Sequence, residues 1–259
     1  MSGGDRVSGG DRVSGGDRFP VDLHCHVLPN LDDGARDLDD AIAMARQAQH
    51  DGIAAICATP HIRADHDVRI AELPVRIAEL AAAIARAGCD TRILPGGEVS
   101  ANALANLDDD ELAAVTLGAG GSWILLEPAA GPLDDRLEAA VDELRERGFR
   151  ALIAHPERHP APDLITRLQR LTANGALVQV TAAYLADDHT RDAVQALASA
   201  GVLHVLGSDA HSSRAGRSVA LSPAVRALAT IETVAAHLEW IVRTAPAAII
   251  RGELLTPPF

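Results

Sequence analysis

Residues 133–156 read LDDRLEAAVDELRERGFRALIAHP, and the reading of this stretch decides the fold. Leu133, Leu137, Ala140, Val141 and Leu144 recur at helical spacing, so one face of a helix is apolar. Gly148 follows, the residue best suited to the left-handed turn that ends a helix, and then comes the short apolar run 151–154, closed by His155-Pro156. The unit is helix, glycine, strand. Helical segments also stop at Gly52, Gly88, Gly175 and Gly201, each with a new apolar run close behind. Such runs give seven predicted strands: 21–26, 53–58, 92–95, 123–126, 151–154, 177–180 and 203–207. Strands that alternate with helices imply a parallel sheet. Seven such units in 259 residues predict an α/β barrel or barrel-like closed sheet. The rival, an open doubly wound sheet, calls for a glycine-rich first turn, and none follows the first run.

Composition removes several classes of function. The chain carries 36 acidic residues against 23 arginines, has no lysine, and reaches a formal charge of -13. That balance predicts neither a nucleic-acid partner nor an anionic membrane surface, and no apolar run approaches membrane-spanning length. Without an ammonium group there is neither a Schiff-base nucleophile nor a Walker-type phosphate loop. Three cysteines, Cys25, Cys57 and Cys89, with no apolar leader predict reduced thiols and a cytoplasmic location. The run Ser-Gly-Gly-Asp-Arg begins at Ser2, Ser8 and Ser14, so residues 1–19 read as a disordered repeat tail and 20–259 as the folded domain.

The apolar runs end in potential ligands. His24 and His26 are two apart on the first strand, so both imidazoles leave one face with roughly 6.6 Å between Cα atoms at about 3.3 Å per residue. The other runs lead to His61, Glu98, Glu127, His155, and the pair Asp209 and His211. In closed α/β barrels the residues just past the strands' C-terminal ends converge on one face, which gathers these side chains despite their separation in sequence. Asp33, in the turn Leu31-Asp32-Asp33-Gly34, is close enough to return to the same mouth. His50, His66, His159, His189, His204 and His237 lie off the pattern and read as solvated or packing residues. Imidazole and carboxylate together suit manganese, iron or zinc without choosing among them.

The order of these motifs resembles the polymerase and histidinol phosphatase (PHP) superfamily over 21–217. More narrowly, Asp22-Leu-His-Cys-His-Val-Leu-Pro29, Asp32-Asp33-Gly34, Ala58-Thr-Pro-His61, Leu94-Pro-Gly-Gly-Glu98, Ile153-Ala-His155-Pro-Glu-Arg158 and Ser208-Asp-Ala-His211 resemble bacterial protein-tyrosine phosphatases that regulate capsule and exopolysaccharide synthesis. The resemblance implies a distorted (βα)7 TIM-like barrel with its metal site at the C-terminal face of the strands. It further implies three divalent ions, manganese first and iron, zinc or magnesium as alternatives. One ion takes His24, His26, Glu98 and Asp209; a second shares Glu98 and adds Glu127 and His155; a third takes Asp33, His61 and His211. Arg158, with Arg217 or Arg214, resembles the phosphate-contacting arginines.

The expected activity is phosphomonoester hydrolysis by metal-activated water, and the resemblance implies that the substrate is a phosphotyrosine protein, the tail of a bacterial tyrosine kinase of capsule synthesis. Three divalent ions against four carboxylates leave about +2, which complements a phosphate dianion inside an acidic protein. Two alternatives remain: a phosphatase of a small metabolite such as histidinol phosphate, and a non-catalytic metal-loaded binding module. The segment Cys57–Arg63 matches the Cys-x5-Arg spacing of thiol phosphatases. It lacks the glycines and the following hydroxyl such a loop needs, so Cys57 reads as a small buried hydrophobe and Cys25 as pointing away from the metals.

Overall fold

The computed structural model describes residues 19–187 and 190–259. The strands are β1 (Asp22–Cys25), β2 (Ala55–Ala58), β3 (His61–Ile62), β4 (Arg92–Leu94), β5 (Glu98–Ser100), β6 (Trp123–Glu127), β7 (Arg150–Ala154), β8 (Leu177–Thr181) and β9 (Val205–Gly207). They form two parallel sheets, ordered β1-β2-β4 and β3-β5-β6-β7-β8-β9. Each of the seven expected runs contains a strand. The two additional strands, β3 and β5, continue β2 and β4 after short interruptions.

Those interruptions have a steric origin. Pro60 carries no N–H and cannot extend the ladder of β2. After β4, Pro95-Gly96-Gly97 turns the chain where it is tightly packed, since a Cβ on Gly97 would stand 2.9 Å from the Val115 Cβ. The two breaks lie side by side, joined by the Glu98 N–H donating to the Pro60 carbonyl at 3.0 Å. They shift His61 and Glu98 onto the second sheet, where the two residues are register partners.

The last strand meets the first. Cys25 bridges Ala210, His26 N–H donates to the Ala210 carbonyl at 2.9 Å, and Asp209 N–H donates to the His24 carbonyl at 2.8 Å. The buried Asp22 carboxylate adds a bond from Ser208 N–H at 3.0 Å. His24 of β1 and His26 just past it are thereby brought beside Asp209.

Helices α1 (Leu38–Asp51), α2 (Leu73–Arg86), α3 (Asp109–Ala114), α4 (Asp135–Glu146), α5 (Leu164–Ala173) and α6 (Arg191–Ser199) join successive strands, and α7 (Ser222–Leu228), α8 (Glu232–Ala235) and α9 (Ala245–Ile249) follow β9. α4 buries Leu137, Ala140, Val141 and Leu144, the residues its periodicity selects. The five helix-ending glycines all have φ between 70° and 94°. Successive strand residues face different apolar layers, as the two-residue period of a strand demands. Ile124 and Leu126 pack with Leu137 and Leu168, whereas Trp123 and Leu125 pack with Leu152, Leu177 and Ile249. Trp240 packs against both layers, as expected of the helical segments after Ser222.

Phe19, placed at the end of the repeat tail by the sequence, is buried and bridges Ile53. The rest of that tail, residues 1–18, and His189 lie outside the described residues.

Candidate metal centre

All nine residues picked out as metal ligands come together. His24 and His26 leave the end of β1, His61 and Glu98 open β3 and β5, Glu127 closes β6, and His155, Asp209 and His211 lie just past β7 and β9. Asp33 arrives on the turn after β1. That turn can close only because residue 34 is glycine, since a Cβ there would stand 2.3 Å from the His26 carbonyl oxygen. Side-chain donors converge in four overlapping groups: His26, Asp33, His61 and His211; His24, His26 and Asp209; His24, Glu98 and His155; and His61, Glu98 and Glu127. Within each group the donor atoms lie within 4.8 Å of one another. His155 and Asp209 hold left-handed φ of 32° and 48°, conformations that non-glycine residues keep only where surrounding packing enforces them.

The hydrogen bonds fit a cation. His24 Nδ1 donates to the Gln179 amide oxygen at 2.9 Å, and His26 Nδ1 donates to Asp32 Oδ2 at 2.8 Å. With the proton of each ring held at Nδ1, both Nε2 atoms present lone pairs, and they face each other at 3.2 Å. Two lone pairs at that distance repel unless positive charge lies between them. The same atoms face Asp209 Oδ1 at 3.3 and 3.6 Å and Glu98 Oε2 at 3.3 Å each. Glu98 Oε2 is also 2.9 Å from His61 Nδ1, is fully buried, and has no hydrogen-bond partner of acceptable geometry among the described residues. An orphaned buried carboxylate oxygen ringed by three imidazole nitrogens fits a metal-bridging ligand.

Titration without an ion agrees. Burial opposes charge on His26, yet Asp32 and Glu98 raise it to about 9; burial likewise opposes charge on His61, and Asp33 and Glu98 raise it to about 9. Burial would raise Glu98, but the neighbouring His24 and His155 hold it well below the usual carboxylate range. Burial lowers His155 to about 3, and burial together with the charge of His26 lowers His211 to about 2. Burial and the charge of Glu98 push Glu127 up. The upward shifts of His26 and His61 come from the carboxylates packed against them, which marks this as a place that favours positive charge.

Arginines adjoin these groups. Arg158 donates to Thr181 Oγ1 at 3.2 Å, pairs with Asp209, and lies over the Tyr184 ring at 5.3 Å. Arg217 donates through Nε to the Asp209 carbonyl at 2.7 Å and pairs with its carboxylate at 3.2 Å. Arg214 instead faces outward on Asp37, whereas Arg217 lines the cleft with Arg158 and Arg63. The loop bearing His211 and Arg217 is tied to α1 by buried Asp40, which accepts from Ser212 Oγ at 2.9 Å and Ser213 N–H at 2.8 Å. The resulting cleft of about 390 Å³ is walled by Asp33, His61, Glu127, His211, Arg158 and Arg217, among others.

Sequence reasoning missed the supporting residues. Asp32 was passed over for its neighbour Asp33. Gln179 stands in the apolar run 177–180, the one run with no ligand at its end, and a buried polar residue there was the available signal. Arg63, the arginine of the thiol-phosphatase look-alike, donates to Glu127 Oε1 at 3.2 Å, while Cys57 is fully buried and its thiol is pushed far up by that burial. Cys25 is also fully buried, packed in the apolar core. His66 stacks on His61 with centroids 5.1 Å apart, nearer the site than expected. His204 and His237 pack with Phe259, in line with packing roles.

A chain from the crystal structures of YwqE from Bacillus subtilis and CpsB from Streptococcus pneumoniae, described as metal-dependent tyrosine phosphatases, superposes with a TM-score of 0.77. It is 26% identical, and the match covers 91% of this chain and 96% of that one. Dihydropyrimidinase from Brevibacillus agri shares the fold at a TM-score of 0.55 and 12% identity, covering 92% of this chain and 73% of that one. The tyrosine-protein phosphatase YwqE of Bacillus subtilis is 32% identical over 203 residues, 74% of this chain and 77% of that protein. The model of the capsular polysaccharide synthesis family CpsB/CapC matches residues 20–251, and the chain belongs to that family.

Proposed function

We propose that this chain is a metal-dependent protein-tyrosine phosphatase. The observation that carries the reading is the pair of opposed Nε2 lone pairs of His24 and His26, closed in by Glu98 and Asp209 and flanked by two arginines. Residues 20–259 act as one unit, and the contacts of β1 with the end of β9 support a distorted (βα)7 barrel around this site.

Three divalent ions, manganese foremost, would account for the nine residues: His24, His26, Glu98 and Asp209 would hold one, Glu98, Glu127 and His155 a second, and Asp33, His61 and His211 a third. Such ions, when bound, acidify water and neutralise phosphoryl oxygens. The chain's own groups do the rest. Asp32 and Gln179 hold two imidazoles in the ligating tautomer. Arg158 and Arg217 can take the equatorial phosphoryl oxygens bidentately, which orients the ester and stabilises charge as the bond to the leaving oxygen breaks. The substrate is phosphotyrosine in a protein, and the family's link to capsular polysaccharide synthesis favours a tyrosine kinase of that system. Among the described residues no helix is long and apolar enough to cross a membrane, and the three free cysteines support a cytoplasmic setting.

The test is exhaustive chelation. It should abolish hydrolysis of para-nitrophenyl phosphate, with recovery on adding manganese, while Cys57→Ala stays active. Activity that survives chelation, or that Cys57→Ala removes from a folded protein, refutes the reading.

A further inference from the structure

Beside the metal cleft runs a second, larger depression of about 940 Å³. The two share Arg63, Glu127, His155 and Arg158, so they form one continuous surface. A phosphate group needs only the smaller part. A small phosphorylated metabolite held at the cleft would leave most of the larger one empty.

Its walls suit a peptide. Ile62, Val68 and Leu107 give it apolar surface, and the exposed side chains of Asn102 and Asn106 offer both donors and acceptors, the pairing that peptide N–H and C=O groups require. Charge points the same way. The protein carries -13 overall, yet along this groove Arg63, Arg69 and Arg158 balance Asp65, Glu111 and Glu127. A phosphorylated, anionic segment is therefore not repelled here as it would be over the rest of the surface.

We propose that this groove binds the polypeptide flanking the phosphotyrosine, with Arg63 at the junction where the chain passes from the groove to the metal cleft. The proposal rests on the phosphatase reading above. It makes the groove the determinant of preference for protein over small-molecule esters, since the flanking residues find their contacts there.

The experiment fills the groove from its rim. Asn102→Trp and Asn106→Trp each place a large side chain at an exposed position on the groove wall. Manganese-loaded wild type and both variants are assayed on para-nitrophenyl phosphate and on a ten-residue peptide with a central phosphotyrosine. The variants should lose at least tenfold in kcat/KM on the peptide, mainly through KM, and stay within twofold of wild type on the aryl phosphate. That control also reports on folding. Unchanged peptide turnover in both variants, or an equal loss on both substrates, overturns the proposal. A wild type that hydrolyses the aryl ester but not the peptide overturns the groove and the protein substrate while sparing metal-dependent phosphatase chemistry, whereas a wild type inert to both overturns that chemistry first.

Discussion

Asp32 offers the sharpest test of how the site is held together. Its Oδ2 accepts from His26 Nδ1 at 2.8 Å and from His61 N–H at 3.0 Å, and its Oδ1 accepts from Gly34 N–H at 2.9 Å. The carboxylate is therefore neither a ligand nor a bystander. Its three bonds fix the His26 tautomer, the start of β3 and the turn that delivers Asp33. Asp32→Leu keeps roughly the shape and removes both acceptor oxygens. His26 Nδ1 then has no carboxylate to hold its proton, so the tautomer with the proton on Nε2, the atom that should ligate, is no longer disfavoured. Supporting bonds of this kind are worth about 10- to 100-fold in metal affinity, or about 1.4 to 2.7 kcal/mol. Leaving the buried His61 N–H without an acceptor costs about a further 1–3 kcal/mol of fold stability. Calorimetric titration of manganese into chelator-stripped protein, read beside denaturant unfolding of the ion-free form, separates the two effects. Affinity and kcat within twofold of wild type would refute the argument that the tautomer governs the centre.

Arg158→Ala and Arg217→Ala should each lower kcat on para-nitrophenyl phosphate by about 10²- to 10³-fold, as loss of a charge-stabilising donor does. Arg214→Ala, which removes only the exposed pair with Asp37, should stay within twofold. Trp123 is fully buried, with its Nε1 donating to the Glu253 carbonyl at 3.0 Å, so Trp123→Ala should cost about 3–5 kcal/mol in urea unfolding. Burial lowers His204 to about 4 from 6.5, so the unfolded chain takes up the proton first, and its stabilising contribution, complete above pH 6.5, drains away as pH falls to 4. At about 1.4 kcal/mol per pH unit this is a loss of about 3 kcal/mol, and His204→Gln should flatten that part of a stability-against-pH curve measured by unfolding.

The sequence exposes whatever repeats. A helix must bury one face and end on a residue that tolerates positive φ, so Leu137, Val141 and Gly148 announce α4 without any tertiary knowledge. Candidate ligands are legible for a related reason: several apolar strands in one chain end in His or Glu, and in a parallel sheet such ends point to one place. Positions fixed by tertiary crowding stay hidden. The break between β4 and β5 depends on Gly97 fitting under Val115, a contact made across the chain and written in neither residue alone. Asp32 and Asp33 are chemically identical neighbours, and only the closure of the turn on His26 decides that the first supports an imidazole while the second faces His61 and His211. Gln179 sits between these cases. Its polarity inside a buried strand is a local anomaly, but its partner His24 is 155 residues away, and the meeting of β8 with β1 beneath the metal centre gives the anomaly its meaning. Roles of single atoms follow from topology, because the side chain that completes a site is chosen by which strands lie opposite one another.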